Sequence, residues 1–551
     1  MLRPDILGRM RTRGLLIFAG LTAALPLCAE EKVDLSMIHR IRQEALQNSK
    51  VMDHMFWLTD ANGPRLTGSQ GYRRAAEWVV KQAGEYGLGN AKLEKWGPFG
   101  RGWEYTRFSA HLVEPVYTPL IGFPLAWTSG TNGTITGEPI LAVIRTPEDM
   151  EKHKGKLKGK IILIDNVRAT PLLTNPLARR HTETDLSNLE QAPEPGQSSP
   201  FFQRPRELEP ALSPGSPFRN MEEMRRFRSR RAEFLKQEGV LAAIGTGTSG
   251  DGGTLFATSG GSQDPKTPAP PPMIALTPEH YNRITRLLEK KVPVKVELEL
   301  QARIIEENQD SWNVTAEIPG ARKQDEVVMI GAHLDSWHGG TGATDNAAGS
   351  AVALEVMRIL KSLNASMDRT VRMGLWSGEE QGLLGSRAYV RDNFADPTKM
   401  ELKPGHAKLS AYYNLDNGTG KIRGVYLQGN DMVRPIFAAW LAPFKDLGAN
   451  TLSIRQTGGT DHLSFDAVGL PAFQFIQDPV EYSTRTHHSN MDVYDHISRG
   501  DLMQASAIMA SFVYHTAMRD QLLPRKPLPK PQPERRREGS GPTAPSGNDG
   551  R

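Results

Sequence analysis

Apolar positions along this chain change period several times, and each change marks an element. From Val33 to Ser49, and again from Gly71 to Glu85, they recur every three or four residues, the spacing that gives a helix one apolar stripe. Between these predicted helices, Asn62-Gly63-Pro64-Arg65-Leu66-Thr67-Gly68-Ser69 is dense in turn formers and reads as a loop. A β-rich segment follows, roughly Leu93 to Ala142. The runs within Gly159–Asp165 and Gly239–Ile244 are continuous and short, as in strands buried on both faces. A helix is expected over Arg225–Glu238, and the run Pro271–Leu276 leads into another over Pro278–Lys290.

From Trp312 onward strands and helices alternate. Strands are expected at Glu326–Ala332, Thr370–Trp376, Leu409–Leu415, Val425–Gln428 and Ala472–Gln477, and helices at Ala347–Leu363, Gly382–Asn393 and Val433–Leu447. Strands joined through crossover helices imply an α/β fold, a mostly parallel central sheet covered by helices on both faces. Such sheets bind ligands beyond the carboxyl ends of their strands. The stretch 119–303 keeps its own strand and helix pattern and reads as an inserted smaller α/β domain, leaving 30–118 and 304–523 as the main unit. Residues 168–220, crowded with Pro, Ser, Glu and Arg, read as a long loop. The Pro-, Arg- and Gly-rich segment 524–551 reads as a disordered tail, and no internal repeat is visible.

Composition sharpens this picture at the amino terminus. Arg3, Arg9, Arg11 and Arg13 precede an apolar run from Gly14 to Leu27, and Ala29 precedes Glu30-Glu31-Lys32, the layout of a secretory signal peptide over residues 1–29. Export to the periplasm or medium is the expectation, with no stable membrane span after cleavage, because no later segment is apolar for 18 residues. Cys28 is the sole cysteine, and Leu27 before it fits a lipoprotein box poorly, so the thiol is expected to leave with the leader. A mature chain without thiols excludes disulfides, cysteine nucleophiles and thiolate metal ligands. The formal charge of +5 sits in the leader and the tail, and the body between them carries a net charge of −2, so nucleic acid is not an expected partner.

Five groups of chemistry-bearing residues stand just after predicted strands or in late loops. Gly331-Ala332-His333-Leu334-Asp335 places an imidazole at a strand end with a carboxylate two residues on, able to accept its second N–H or orient it. Gly342-Ala343-Thr344-Asp345-Asn346 enters a helix; Asp345 alone would pass for an N-cap, but the small residues around it suit a carboxylate in a tight site that bridges two cations. Glu379-Glu380 alone would be a solvated pair; if buried, the two need a nearby positive charge. A metal pair gives them separate tasks, Glu380 as ligand and Glu379 as general base toward the attacking water. Asp416 ends the run Tyr412–Leu415 and could be a turn aspartate, and His487-His488 could be an ordinary loop pair. Together His333, Asp345, Glu380, Asp416 and His488 supply nitrogen and oxygen donors for two borderline ions, zinc foremost.

In order and context these motifs resemble the di-zinc exopeptidase family that includes bacterial leucyl aminopeptidases, aminopeptidase Y, carboxypeptidase Q and glutamate carboxypeptidase. The likeness is strongest from Asn313 to His496 and extends to Gly63-Pro64-Arg65-Leu66-Thr67-Gly68-Ser69, which looks like the carboxypeptidase Q branch. The resemblance implies two Zn2+ per chain, His333 and Asp416 on one, Glu380 and His488 on the other, Asp345 between them, with Asp335 as supporting acid and Glu379 as base. It implies a peptide substrate cut at a chain end, a protease-associated-like insert, and a homodimer. Some members carry a tyrosine before the late histidine ligand to stabilise the oxyanion; here that place is His487. Asp461-His462 also looks metal-like, and the resemblance puts it beside the site as support. The rivals are a receptor-like protein on the same fold, which retention of every ligand position disfavours, and a single-zinc glutaminyl cyclase, which the full two-metal donor set disfavours.

Overall fold

The structure is a computed structural model that describes residues 31–195 and 221–531. The expected leader, residues 196–220 of the expected loop and residues 532–551 of the expected tail lie outside the described residues.

Its main unit is built on an eight-stranded sheet in the order Gly89–Trp96, Ser311–Ile318, Arg369–Trp376, Lys323–His333, Leu409–Asn414, Ala472–Gln477, Ile422–Tyr426 and Thr451–Ser453. The four central strands, from Arg369–Trp376 to Ala472–Gln477, are parallel, and antiparallel pairings occur only on the two flanks. Alternation explains how the centre is covered. Val328 and Ile330 enter one core with Val371, Met373, Ala411 and Tyr413, while Met329 enters the opposite core with Trp376 and Tyr412. The first core is closed by Leu35–Gln47, Gln70–Glu85, Ala348–Ser362 and Arg499–Met518. The second is closed by Leu384–Asn393 and His462–Asp466, where the Tyr412 and Phe465 rings stack at 4.1 Å. The strands run close together at Gly331: a Cβ there would meet the Gly374 carbonyl oxygen at 2.2 Å.

Helix ends follow local chemistry. Asp34 accepts from Met37 N and Ser69 from Tyr72 N, so the first two long helices start at Leu35 and Gln70 rather than at Val33 and Gly71. The expected helix Val433–Leu447 is α-helical over Arg434–Leu441 and tightens to a 3-10 turn over Ala442–Leu447, where Pro443 offers no N–H.

The insert carries a five-stranded sheet, Gly122–Pro124, Met273–Leu276, Ala242–Gly245, Ile161–Leu163 and Pro139–Leu141, parallel except for its first pair. A long antiparallel ribbon of Gly102–Glu114 with Lys295–Ile305 leads into and out of it. Ala110, Leu112, Val296 and Leu298 of that ribbon share one core with Ile161, Ile244 and Ile274, so this part of the ribbon packs with the insert, while Trp103 packs with Leu66, Trp96 and Ala388 of the main unit.

Two segments expected to be irregular hold more order. Within the 168–220 stretch, Glu183–Glu190 is a helix with a Thr182–Asp185 capping box, and its Leu186 and Leu189 are buried against Ile476 of the main sheet. Two apolar side chains among polar neighbours carry little periodic signal, and their core belongs to the other unit. Residues 523–526 lie along the body: Asn430 donates to the Pro524 carbonyl, Arg525 to the Leu409 carbonyl at 2.6 Å, and Lys526 to Asp466 at 2.6 Å. Among the described residues no helix is long and apolar enough to cross a membrane.

Candidate active site

All five predicted ligand positions meet at the carboxyl ends of the central strands. His333 is the last residue of its strand, Glu379 and Glu380 turn away three and four residues after Trp376, and Asp416 lies two residues beyond Asn414. Asp345 sits in the turn Ala343–Ala347 that opens the buried helix Ala348–Ser362, and His488 comes from the long connection after Gln477. Register places the ends side by side, with His333 opposite Trp376 and Gly331 opposite Asn414.

Asp345 is at the centre. Its Oδ1 lies 3.2 Å from His333 Nε2 and its Oδ2 lies 3.1 Å from His488 Nε2, so the two carboxylate oxygens face different imidazoles. Asp416 Oδ1 is 3.4 Å from His333 Nε2, and Glu380 Oε2 is 2.9 Å from His488 Nε2. Glu379 stands further back, its Oε2 4.0 Å from His333 Nε2. His333, Asp345, Glu379 and Asp416 are all buried.

Protonation states show what such a cluster lacks. Burial, and then the negative charges of Asp416, Asp461 and Glu380, push the Glu379 carboxyl well above the usual range. Burial and then Asp345 push Glu380 up to about 7. Burial alone would keep the His488 ring neutral, but Glu380 and Asp345 outweigh it and push its pKa up to about 10. The same competition, with Asp416 and Glu379 as the anions, raises His333 well above its ordinary value. Without a counter-charge Glu379 and Glu380 hold their protons more tightly than free carboxyls do, and buried His333 Nε2, Asp345 Oδ2, Glu380 Oε1 and Asp416 Oδ1 have no hydrogen-bond partner. Unpartnered nitrogen and oxygen atoms converging in a buried cleft fit divalent cations, which would supply the charge and accept the lone pairs.

The surroundings fix these side chains. His333 Nδ1 is 2.9 Å from the Asp335 main-chain oxygen, which selects Nε2 as the free ring nitrogen. The Asp335 carboxylate was expected to serve His333, but its Oδ1 is 3.6 Å from that ring. It accepts instead from the amides of Glu379 and Glu380, each at 3.3 Å, and from the Thr67 hydroxyl at 3.0 Å, so it holds the turn that presents both glutamates. Thr67 also accepts from Gly378 N at 2.9 Å. Asp492 accepts from the amide and hydroxyl of Thr344 and from Asp345 N at 3.3 Å, which orients the central carboxylate from behind.

Arg65 is fully buried beneath this layer and donates to the carbonyls of Leu58, Leu334, Thr341 and Gly342, pinning both loops that flank Asp345. Burial pushes its pKa down to about 10, still charged at neutral pH. Arg65, Thr67, Thr344 and Asp492 had no role assigned from sequence. The turn-rich segment Gly63–Ser69 was the one hint, since buried polar residues in a loop have to be satisfied by something nearby.

His487 is part of the cleft wall. Its ring stacks on His488 at 3.7 Å with a 27° tilt, and its Nε2 is 3.7 Å from Asp345 Oδ2. Asp461 is fully buried with both carboxylate oxygens unpaired, and burial pushes it up to about 7. His462 turns away, its Nε2 3.1 Å from the Thr457 carbonyl oxygen, so it does not join the cluster.

Comparison with known proteins follows this geometry. The chain is 25% identical over 472 residues to carboxypeptidase Q of Mus musculus, covering 85% of this chain and 86% of that protein. The fold matches a peptidase M28 precursor of Shewanella amazonensis SB2B with a TM-score of 0.62 at 24% identity, over 90% of this chain and 98% of that one. It also matches BSAP, a zinc aminopeptidase from Bacillus subtilis, with a TM-score of 0.52 at 20% identity, over 85% and 95% of the two chains. The profile of peptidase family M28 matches residues 313–513, the span that carries every one of the predicted ligands.

Proposed function

We propose that this chain is an exported di-zinc metalloexopeptidase that hydrolyses the peptide bond at the end of a peptide or dipeptide. The observation that supports this most is the convergence of His333, Asp345, Glu380, Asp416 and His488, with buried, unpaired ligand-type atoms on the first four. In this reading His333 and Asp416 hold one zinc, Glu380 and His488 the other, and Asp345 lies between them. Zinc suits imidazole and carboxylate donors without thiolate, and both carboxypeptidase and aminopeptidase names occur among the similar proteins. Bound there, the ions would polarise the scissile carbonyl and acidify water.

The chain's own groups do the rest. Glu379, held by its amide on Asp335 and set back from the ligands, removes a proton from the attacking water and returns it to the leaving nitrogen. A raised pKa suits that return step, because a carboxyl that binds its proton well can also deliver it. His487, stacked at the cleft wall, donates a hydrogen bond to the oxyanion of the tetrahedral intermediate. His487→Ala is expected to lower kcat about 100-fold with metal content unchanged; unchanged turnover would remove the residue from the mechanism.

The whole reading is tested by metal analysis with hydrolysis of aminoacyl-p-nitroanilides and of free and N-blocked dipeptides. About two zinc ions per chain, activity lost to a chelator and restored by zinc, is the expected result, and sensitivity to N-blocking assigns the recognised terminus. A chain that takes up no metal and is inert on every substrate would instead be a receptor-like relative. Export predicts that protein recovered from the periplasm or medium starts at Glu30, which intact-mass measurement decides; recovery of the chain from Met1 in the cytoplasm would refute it.

A further inference from the structure

We infer that the inserted domain completes the metal centre by clamping the His488 loop, with Asn490 as the positioning residue, so that one of the two ions depends on the insert and the other does not. The inference rests on the di-zinc reading above.

His488 has φ +62, a left-handed conformation that a residue with a Cβ rarely adopts and that surrounding contacts must hold in place. Part of that hold lies within its own loop, where Ser489 N donates to the Thr486 carbonyl and Thr486 meets the Thr344 hydroxyl. The Ser489 hydroxyl adds bonds to the Arg485 carbonyl and from Met491 N, and other bonds at 488–490 reach across to the insert. The His488 carbonyl accepts from Ala257 N at 3.2 Å, and Ser489 forms an antiparallel bridge with Phe256. Asn490 then ties three groups of the same insert turn: its Oδ1 accepts from Leu255 N at 2.8 Å, its Nδ2 donates to the Gly253 carbonyl at 3.0 Å, and its main-chain N donates to the Leu255 carbonyl at 3.2 Å.

The turn that makes these bonds is itself fixed. Thr248 N and Phe256 N close it on the carbonyls of Phe256 and Ser249, and Leu255 and Ala257 are buried with Phe123 and Ala275 of the insert sheet. Phe123 of the insert packs so close to Gly339 that a Cβ there would come within 2.7 Å of its ring, so this approach requires glycine.

His333 is held differently. It ends a central strand, its carbonyl accepts from the Ser350 hydroxyl at 2.7 Å, its ring bonds to Asp335, and none of these partners belongs to the insert. Of the two imidazoles, that of His488 is therefore held in part by the insert and that of His333 by the main sheet and its own loop.

Zinc titration into the chelator-stripped full chain tests this, comparing wild type with Asn490→Ala. The variant is expected to bind one ion with wild-type affinity and the other about tenfold more weakly, the scale set by losing a group that orients a ligand. The thermal midpoint of the stripped variant should stay near that of stripped wild type, since a general loss of packing would lower it. Two ions bound as in wild type, or both weakened equally, would overturn the clamp. If Asn490→Ala does not fold, Asn490→Asp keeps the acceptor for Leu255 N, loses the donor to Gly253, and is read by the same selective loss. A wild-type chain that binds fewer than two ions would defeat the di-zinc reading and the clamp together, whereas two ions in wild type and no selective loss in the variant defeats the clamp alone.

Discussion

Glu379→Gln is expected to lower kcat by about 10^3-fold while leaving two ions bound and the thermal midpoint close to wild type. The substitution keeps the size of the side chain and its amide link to Asp335, and removes only the ability to take up a proton. Glu379 is the carboxylate of the cluster that stands furthest from an imidazole, 4.0 Å from His333 Nε2, against 2.9 to 3.4 Å for Glu380, Asp345 and Asp416. Distance is the reason to assign it to proton transfer rather than to ligation, and metal analysis of the same variant separates the two. A loss of metal along with activity would make Glu379 a ligand, and a loss of less than tenfold would place the base elsewhere. Loss of kcat without a change in KM is the expected form, because the group acts on the reacting water and makes no uniform contact with substrate.

Legibility of this site from sequence had a physical basis. Ligands at the ends of parallel strands follow directly after apolar runs, so His333, Glu380 and Asp416 were each flagged by the run that precedes them. His488 lies eleven residues past Gln477 in a late loop, where no apolar run precedes it directly and an adjacent pair of histidines could equally be an ordinary loop pair. Residues that support the ligands left weaker traces. Asp335 was expected at the His333 ring because it is two residues away in the chain, yet its carboxylate reaches amides forty-four and forty-five residues further on. Thr67 and Arg65 act across more than 260 positions, a separation that periodicity cannot register. The same holds for the helix Glu183–Glu190, whose two buried leucines find their partner in the main sheet. Patterning reads contacts within an element well, and contacts between elements only when each side carries its own signal.

Asp345→Asn is expected to weaken both ions together, by about 100-fold each, in contrast to the selective loss expected at Asn490. The reason is geometric: Oδ1 faces His333 and Oδ2 faces His488, so a single substitution removes negative charge from both sides of the centre. His488 in the stripped protein has its pKa pushed up to about 10 by Glu380 and Asp345, against the opposing effect of burial, and Glu380 has its own pushed up to about 7. A cation must displace these protons, so wild-type affinity should rise with pH: through Glu380 deprotonation up to about 7, and through His488 up to about 10. In Asp345→Asn the neighbouring anion that raises Glu380 is gone, so Glu380 is less protonated at pH 7, fewer protons leave when zinc binds there, and the pH dependence near 7 flattens. Proton release measured by titration calorimetry in buffers of different ionisation enthalpy gives the count directly. Equal proton release in wild type and Asp345→Asn, or an ion retained at wild-type affinity, would mean that Asp345 does not stand between the two ions.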